Sequence, residues 1–257
     1  MTTSDNWFES WFDSPLYEQL YASRDDAEAE MLVRWIAHML PPSGYPVTVD
    51  MGCGRGRHSL LLAQEGYHVT GVDLSPKAIE KARKKAADHG VANLSFEIGD
   101  MRTWQCAPCD LMCNLFTSFG YFGDDTDNLR VIANMCGNLR HGGFLVMDYL
   151  NPQSVRKSLV PEETVTLGDV TCRISRVIEN DTVIKSLSFV SSGDGRVMTY
   201  QERVKLYGAD WFEKAFKERD MVMEKICGDY RGGAFAPETS PRMVMLARKI
   251  GGAGPQV

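Results

Sequence analysis

No stretch of the 257 residues approaches the roughly 20 consecutive apolar residues that span a bilayer. The start, MTTSDNWFESWFD, is polar and acidic where a secretory signal is cationic and then apolar. A cytoplasmic protein with no membrane partner is the expectation. Positive charge is also scarce: 28 Lys and Arg against 34 Asp and Glu leave a formal charge of −6, which gives no general attraction to a phosphate backbone. Nucleic acid is therefore an unlikely partner. Internal repeats and low-complexity tracts are absent as well. The seven cysteines are an odd number, widely scattered in a chain too long to need staples, and read as reduced thiols. With 44% apolar and 24% charged residues the composition excludes disordered, collagenous and coiled-coil classes and leaves one large globular domain.

Two patterns alternate through the first 150 residues: short β-branched apolar runs at 46–51, 67–73, 94–98, 110–115 and 143–149, and helical spacing at 57–64, 76–89 and 125–140. That alternation predicts a parallel sheet wrapped by helices. Ser75 as N-cap, Pro76 at the first helical position and Gly90 past the end punctuate the second helix. Residues 17–40 read as one or two helices, closed by Pro41 and Pro42. After Asn151 and Pro152 the texture changes to strands at 170–178, 182–190 and 197–207, joined by turn signals, which predicts an antiparallel insertion. A helix at 209–219 and strands at 222–226 and 243–247 then complete the first sheet. The expected organisation is a helical lid at 1–42, a core at 43–152, an antiparallel lid at 153–208 and a C-terminal completion at 209–257.

The most informative stretch is Val47-Thr-Val-Asp50-Met-Gly52-Cys-Gly54-Arg-Gly56-Arg-His58, a buried strand running into a glycine-rich turn and a helix. Glycines suit a place where a ligand approaches the backbone and a helix N-terminus points at it. In the dinucleotide fingerprint the third glycine stands at the sixth position, where this chain has Arg57, so a pyrophosphate and a nicotinamide cofactor are disfavoured. Asp50 before the turn would repel a diphosphate and attract an amine. Asp73 ends the next strand, where a carboxylate accepts from ribose hydroxyls, and Asp100 lies in the following strand-end loop, suited to an adenine amine. Amine, ribose and adenine together describe S-adenosylmethionine.

On these motifs, with Leu74, Met101 and the segment Asn114-Leu-Phe-Thr-Ser-Phe-Gly-Tyr121-Phe, the chain resembles the class I S-adenosylmethionine-dependent methyltransferases. The resemblance implies a Rossmann-like α/β fold: a seven-stranded sheet with an antiparallel last strand and a β insertion after the fifth strand. It places Gly52, Cys53 and Gly54 near the methionine part, Asp73 with Leu74 at the ribose and Asp100 with Met101 at the adenine. Tyr17, Arg24, Asp50, Asn114, Leu115 and Phe116 complete the candidate cofactor set. The C-terminal texture is similar to bacterial small-molecule members with a β lid. Tyr21, Phe119, Tyr121, Asn151, Arg203, Tyr207 and Arg242 are the substrate candidates, and Tyr21, His58, Tyr121 and Arg203 the catalytic ones.

Plainer readings stand beside these. Tyr17, Tyr21 and Arg24 fit a helix face as well as a lid, and Phe116, Phe119, Tyr121 and Phe122 fit core filling as well as a pocket beside a sulfonium. Cys106-Ala-Pro-Cys109 lacks a second close pair at metal spacing, so no metal is expected. The basic run from Lys81 to Lys85 reads as a solvated helix face. His58 is the one histidine expected to see the pocket. No Asn-Pro-Pro-Tyr follows the fourth strand, which argues against methylation of nucleobase amines. The leading expectation is methyl transfer to nitrogen or oxygen of a small molecule. A nucleoside or tRNA methyltransferase and a nonenzymatic S-adenosylmethionine-binding protein are the alternatives. Neither the acceptor nor the oligomeric state is legible.

Overall fold

A computed structural model describes residues 7–21 and 26–251. The chain opens with three helices, α1 (Trp7–Phe12), α2 (Pro15–Leu20) and α3 (Asp26–Met39). An alternating run follows: β1 (Val47–Met51), α4 (Arg57–Gln64), β2 (His68–Asp73), α5 (Pro76–Asp88), β3 (Leu94–Ile98), β4 (Cys109–Asn114), α6 (Asp125–Asn138) and β5 (Leu139–Leu150). Next come α7 (Pro152–Ser158) and four strands, β6 (Glu162–Leu167), β7 (Val170–Glu179), β8 (Thr182–Ser191) and β9 (Val197–Lys205). Helix α8 (Ala209–Lys217) and strands β10 (Met221–Cys227) and β11 (Arg242–Lys249) close the fold. Among the described residues no helix is long and apolar enough to cross a membrane.

Seven strands form one sheet in the order β10-β11-β5-β4-β1-β2-β3. β11 runs antiparallel to both β5 and β10, whereas β1, β2, β3, β4 and β5 pair in parallel. The period of two along each strand decides which helices cover which face. Leu111, Cys113, Phe144, Val146, Val244 and Leu246 pack with α3 and α4 through Leu32, Ile36 and Leu62. The intervening Met112, Leu145, Met147, Tyr149, Met243 and Met245 pack on the other face with α6 and α8 through Val131, Met135, Phe212 and Phe216. The α/β class and the β insertion after the fifth strand are as the sequence led one to expect.

The insertion is a separate four-stranded antiparallel sheet, β6-β7-β8-β9. It is tied to the main sheet where Lys205 N donates to Gly120 O at 2.9 Å and the Tyr149 hydroxyl donates to Lys205 O. Helix α1 packs under it, with the Trp11 ring 4.6 Å from Tyr200 and 5.8 Å from Phe189.

Three elements lie outside the sequence reading. α1 is too short to form on propensity and exists because Trp7, Phe8 and Trp11 are buried. α7 begins where Asn151 accepts from Gln153 N with Pro152 next, an N-cap signal read as a boundary. β6 is an edge strand whose residues are mostly exposed, so it carries little apolar pattern. The first helical stretch is two helices, and β5 starts at Leu139, where the sequence pattern continued the preceding helix to Arg140.

Gly56 shows how tightly the core grips the turn after β1. It is the N-cap of α4 at φ +73°, and a Cβ there would lie 2.5 Å from Phe96 and 3.2 Å from Ala82. Gly56→Ala should cost about 2–4 kcal/mol in urea unfolding, combining left-handed strain with overpacking. Gly54→Ala, at φ +55° with nothing within 4 Å, should cost only about 1 kcal/mol.

Candidate functional site

The C-terminal ends of β1, β2 and β4 meet at one cavity of about 530 Å³, within the range of small-molecule sites. Its floor is the glycine turn. Gly52 and Gly54 have φ of +78° and +55°, and the turn is clipped to β2 because Gly52 N and Cys53 N both donate to Val72 O, at 2.8 and 3.0 Å. Asp73 completes the clip: its Oδ2 accepts from Gly54 N at 2.8 Å and its Oδ1 from Ser75 N at 2.9 Å. Burial pushes the Asp73 carboxyl up, and these backbone N–H groups oppose that shift. Ser75 in turn caps α5, accepting from Ala78 N at 3.0 Å. Asp73 is thus both part of the cavity wall and a brace for the turn.

Most of the sequence candidates gather on this cavity. Gly52, Cys53, Gly54, Asp73, Leu74, Asp100, Met101, Leu115 and Phe116 all line it, as do Tyr17, Tyr21, His58, Tyr121 and Arg242. Asp100 is engaged by Arg102, whose Nη2 lies 2.6 Å from Oδ2. Burial would raise the Asp100 carboxyl, but the hydrogen bonds from Arg102 hold it below the usual range. His58 is buried, its Nε2 has no hydrogen-bond partner among the described residues, and burial pulls the imidazole down to about 3. It is a neutral ring at physiological pH.

Six candidates lie elsewhere, each for a local reason. Asp50 is 2% exposed and turned to α4, where Ser59 Oγ donates to it at 2.6 Å, so it does not face an amine in the cavity. Asn114 is fully buried and donates to Met51 O and Ser118 O, tying the turn to the loop after β4. Phe119 is core, packed among Tyr149, Trp211 and Phe212. Tyr207 stacks on Trp211 at 3.8 Å and donates to Asp125 at 2.6 Å. Asn151 Nδ2 donates to Pro237 O and Ser240 O, joining α7 to the loop before β11. Arg203 sits between Glu202 and Val204, which line the cavity, so strand alternation turns it to the opposite face. Arg24 lies outside the described residues.

Several wall residues were not legible. Trp7, Phe8 and Phe12 of α1 roof the cavity, and the aromatic density of WFESWF was the available signal. Phe12, Tyr17, Tyr21 and Tyr121 continue the roof, with ring centroids 4.9 to 5.5 Å apart along the series. Glu202 of β9 accepts from Trp11 Nε1 at 2.7 Å and from the Tyr21 hydroxyl at 2.6 Å, closing the roof against the lid sheet. Arg55, Arg57, Thr117 and Ser118 also face the cavity. Phe116 and Thr117 are consecutive non-glycine residues at φ +57° and +62°, a strain of about 1–3 kcal/mol each.

Residues 44–205 match the family described as methyltransferase domain. The chain belongs to that family. Its fold is that of solved S-adenosylmethionine-dependent methyltransferases. Among curated relatives it is 28% identical to glycine N-methyltransferase of Oryctolagus cuniculus over 148 residues, 52% of this chain and 50% of that protein, so the match spans about half the length of that relative. Among solved structures it is similar to an S-adenosylmethionine-dependent methyltransferase from Clostridium acetobutylicum, with TM-score 0.78, 17% identity and coverage of 92% and 97% of the two chains. It is also similar to the sugar N-methyltransferase KedS8 from Streptoalloteichus, with TM-score 0.71, 21% identity and coverage of 91% and 93%.

The cavity residues fit the S-adenosylmethionine expected from the sequence. Space beside Gly54, where a Cβ would meet nothing within 4 Å, leaves backbone open to a ligand, and the Asp73 carboxylate stands in the same wall. Beneath the turn, burial pushes the Asp50 carboxyl up to about 6 against an ordinary 3.8. A raised folded-state value means that this group favours the fold most below pH 3.8, and that the benefit is lost as pH rises through 6. Asp50→Asn should therefore gain stability relative to the unaltered protein between pH 4 and pH 8, by about 1–3 kcal/mol in urea unfolding. A difference that is flat with pH would contradict the buried-carboxyl assignment.

Proposed function

We propose that this methyltransferase transfers a methyl group to an amine nitrogen of a small metabolite by direct in-line displacement. One observation carries the reading: the glycine turn, Asp73 and the Asp100-Met101 loop open on the same cavity as a roof of aromatic rings and the carboxylate of Glu202. In this reading Gly52, Cys53, Gly54, Asp73, Leu74, Asp100, Met101, Leu115 and Phe116 hold the cofactor, with Tyr17 over it. Bound there, S-adenosylmethionine supplies a methyl group on a positively charged sulfur. Tyr121 stabilises that charge through its ring, by about 0.5–2 kcal/mol, whereas the Phe116 ring already carries the Arg57 guanidinium at 4.8 Å.

The acceptor lies toward Tyr21, Tyr121, Glu202 and Arg242. Glu202 is already paired with Lys185 at 3.6 Å, so the acceptor enters among the rings as an amine that has lost its proton to water and presents a lone pair in line with the carbon–sulfur bond. Alignment alone lowers a barrier of this kind by roughly 7–11 kcal/mol, so a dedicated base is not required. His58 supports that economy: a ring held near 3 is a poor proton acceptor at neutral pH, and it acts as a wall. Tyr21 donates its hydroxyl proton to Glu202 and Tyr121 donates to Thr117 O at 2.6 Å, so both orient the wall around the acceptor. The nitrogen specificity named for glycine N-methyltransferase and for the sugar N-methyltransferase KedS8 supports the amine over a hydroxyl.

Incubation with methyl-labelled S-adenosylmethionine and a fractionated metabolite extract, followed by mass spectrometry, should yield a low-mass N-methylated product. Label found only in RNA, or only on oxygen, would overturn the reading. Asp73→Ala should weaken S-adenosylhomocysteine binding about 30- to 1000-fold in calorimetry, a loss of about 2–4 kcal/mol. Because Asp73 also braces Gly54, the melting temperature should fall in the same variant.

A further inference from the structure

Beside the acceptor end of the cavity, one carboxylate holds a stretch of backbone that the residues themselves oppose. Phe116 and Thr117, both in the left-handed region, line the cavity. A bulky and a β-branched residue rarely adopt that conformation, and do so only where the surroundings over-determine it. Asp148 of β5, 1% exposed, supplies the determination. Its Oδ2 accepts from Phe116 N at 2.8 Å and from the Tyr230 hydroxyl at 3.0 Å, and its backbone O accepts from Thr117 N at 3.0 Å. Its Oδ1 accepts from Arg242 Nε at 2.9 Å, and Arg242 Nη2 reaches Thr117 Oγ1 at 2.8 Å. The next residue, Ser118, donates to Gly52 O at 3.0 Å, so the strained loop is continuous with the glycine turn.

We infer that Asp148 is a positioning residue for methyl transfer, holding Phe116 and Thr117 as the wall against which the amino-acid end of the cofactor rests and keeping Arg242 at the acceptor side. This rests on the cofactor placement proposed above. Without the carboxylate, Phe116 and Thr117 relax toward ordinary backbone, their side chains leave the wall, and Ser118 loosens its hold on Gly52. The ribose and adenine contacts stand on β2 and in the loop after β3, away from this network, and are spared. The consequence is local: the methionine end is lost and the adenosine end is kept.

Two ligands separate these ends. S-adenosylhomocysteine carries both, and 5′-methylthioadenosine carries the adenosine and sulfur without the amino acid. In calorimetry Asp148→Asn should weaken the first at least about tenfold and leave the second within about threefold. A role in stability alone would lower the melting temperature and move both ligands together. That pattern, or an unchanged affinity for S-adenosylhomocysteine, would overturn the inference. Should Asp148→Asn leave Arg242 uncompensated and fail to fold, Asp148→Asn with Arg242→Gln removes both charges and is read by the same two ligands. An unaltered protein that binds neither ligand would overturn the cofactor placement itself, a result distinct from the failure of the variant pattern.

Discussion

A glycine turn clipped to the end of a neighbouring strand is the constraint on which this site depends. Two positive-φ glycines and the cysteine between them leave three backbone N–H groups at the end of β1 that no helix or ladder takes up. The end of β2 supplies their acceptors, the Val72 carbonyl for Gly52 and Cys53 and the Asp73 carboxylate for Gly54. Buried N–H groups without acceptors are costly, so the second strand must end where it does for the first turn to exist. The N-terminus of α4, the placement of His58 and the open backbone at Gly54 all follow from that arrangement.

Carboxylates lining the turn and the loop after β4, from β1, β2 and β5, repeat the same solution. Asp50 is satisfied by Ser59, Asp73 by two backbone N–H groups, and Asp148 by a backbone N–H, a tyrosine hydroxyl and Arg242. Only Arg242 answers with a full positive charge. Burial works against the Arg242 guanidinium, and the Asp148 carboxylate beside it more than compensates, so that its protonation is strengthened. The cavity thus has a polar, braced floor built from strand ends. Its roof is different in kind: rings from α1, α2 and the loop after β4, joined to the lid sheet through Glu202. A dry roof over a hydrogen-bonded floor suits a reaction that moves a carbon between two heavy atoms and gains from excluding water.

Much of this was legible because the signals are local. The glycine spacing at Gly52, Gly54 and Gly56, the acids Asp73 and Asp100 at strand ends, and the Ser75-Pro76 cap each act through neighbours in the chain, so a linear reading reaches them. The central strands are legible as short continuous apolar runs, because each is buried on both faces by helices. The misplaced candidates depend on distant partners. Asp50 before the turn reads as a ligand until Ser59 is seen to take its proton-accepting oxygen, and Tyr207 reads as a substrate contact until Trp211 and Asp125 are seen to claim it. Arg203 is a matter of phase: whether it or Glu202 meets the cavity is set by which face of β9 the first helix covers.

The amino-acid sequence by itself determined the class of fold, the glycine turn with acids at the following strand ends and the presence of an antiparallel insertion, since each is written in spacings of a few residues. Tertiary structure alone decided which side chains enclose the reaction. α1 forms only because Trp11 finds Phe189 and Tyr200 under the lid sheet while Trp7 and Phe8 pack on Tyr121 and Phe122 of the loop after β4. Glu202 is held at the cavity by Trp11 and Tyr21, more than 180 positions away, together with Lys185 of the neighbouring strand. Phe116 and Thr117 take a conformation that neither prefers because Asp148 and Arg242, from two other strands, supply the hydrogen bonds that outweigh the strain. Such contacts join residues far apart in the chain, and their energy exists only once the sheet has brought them together.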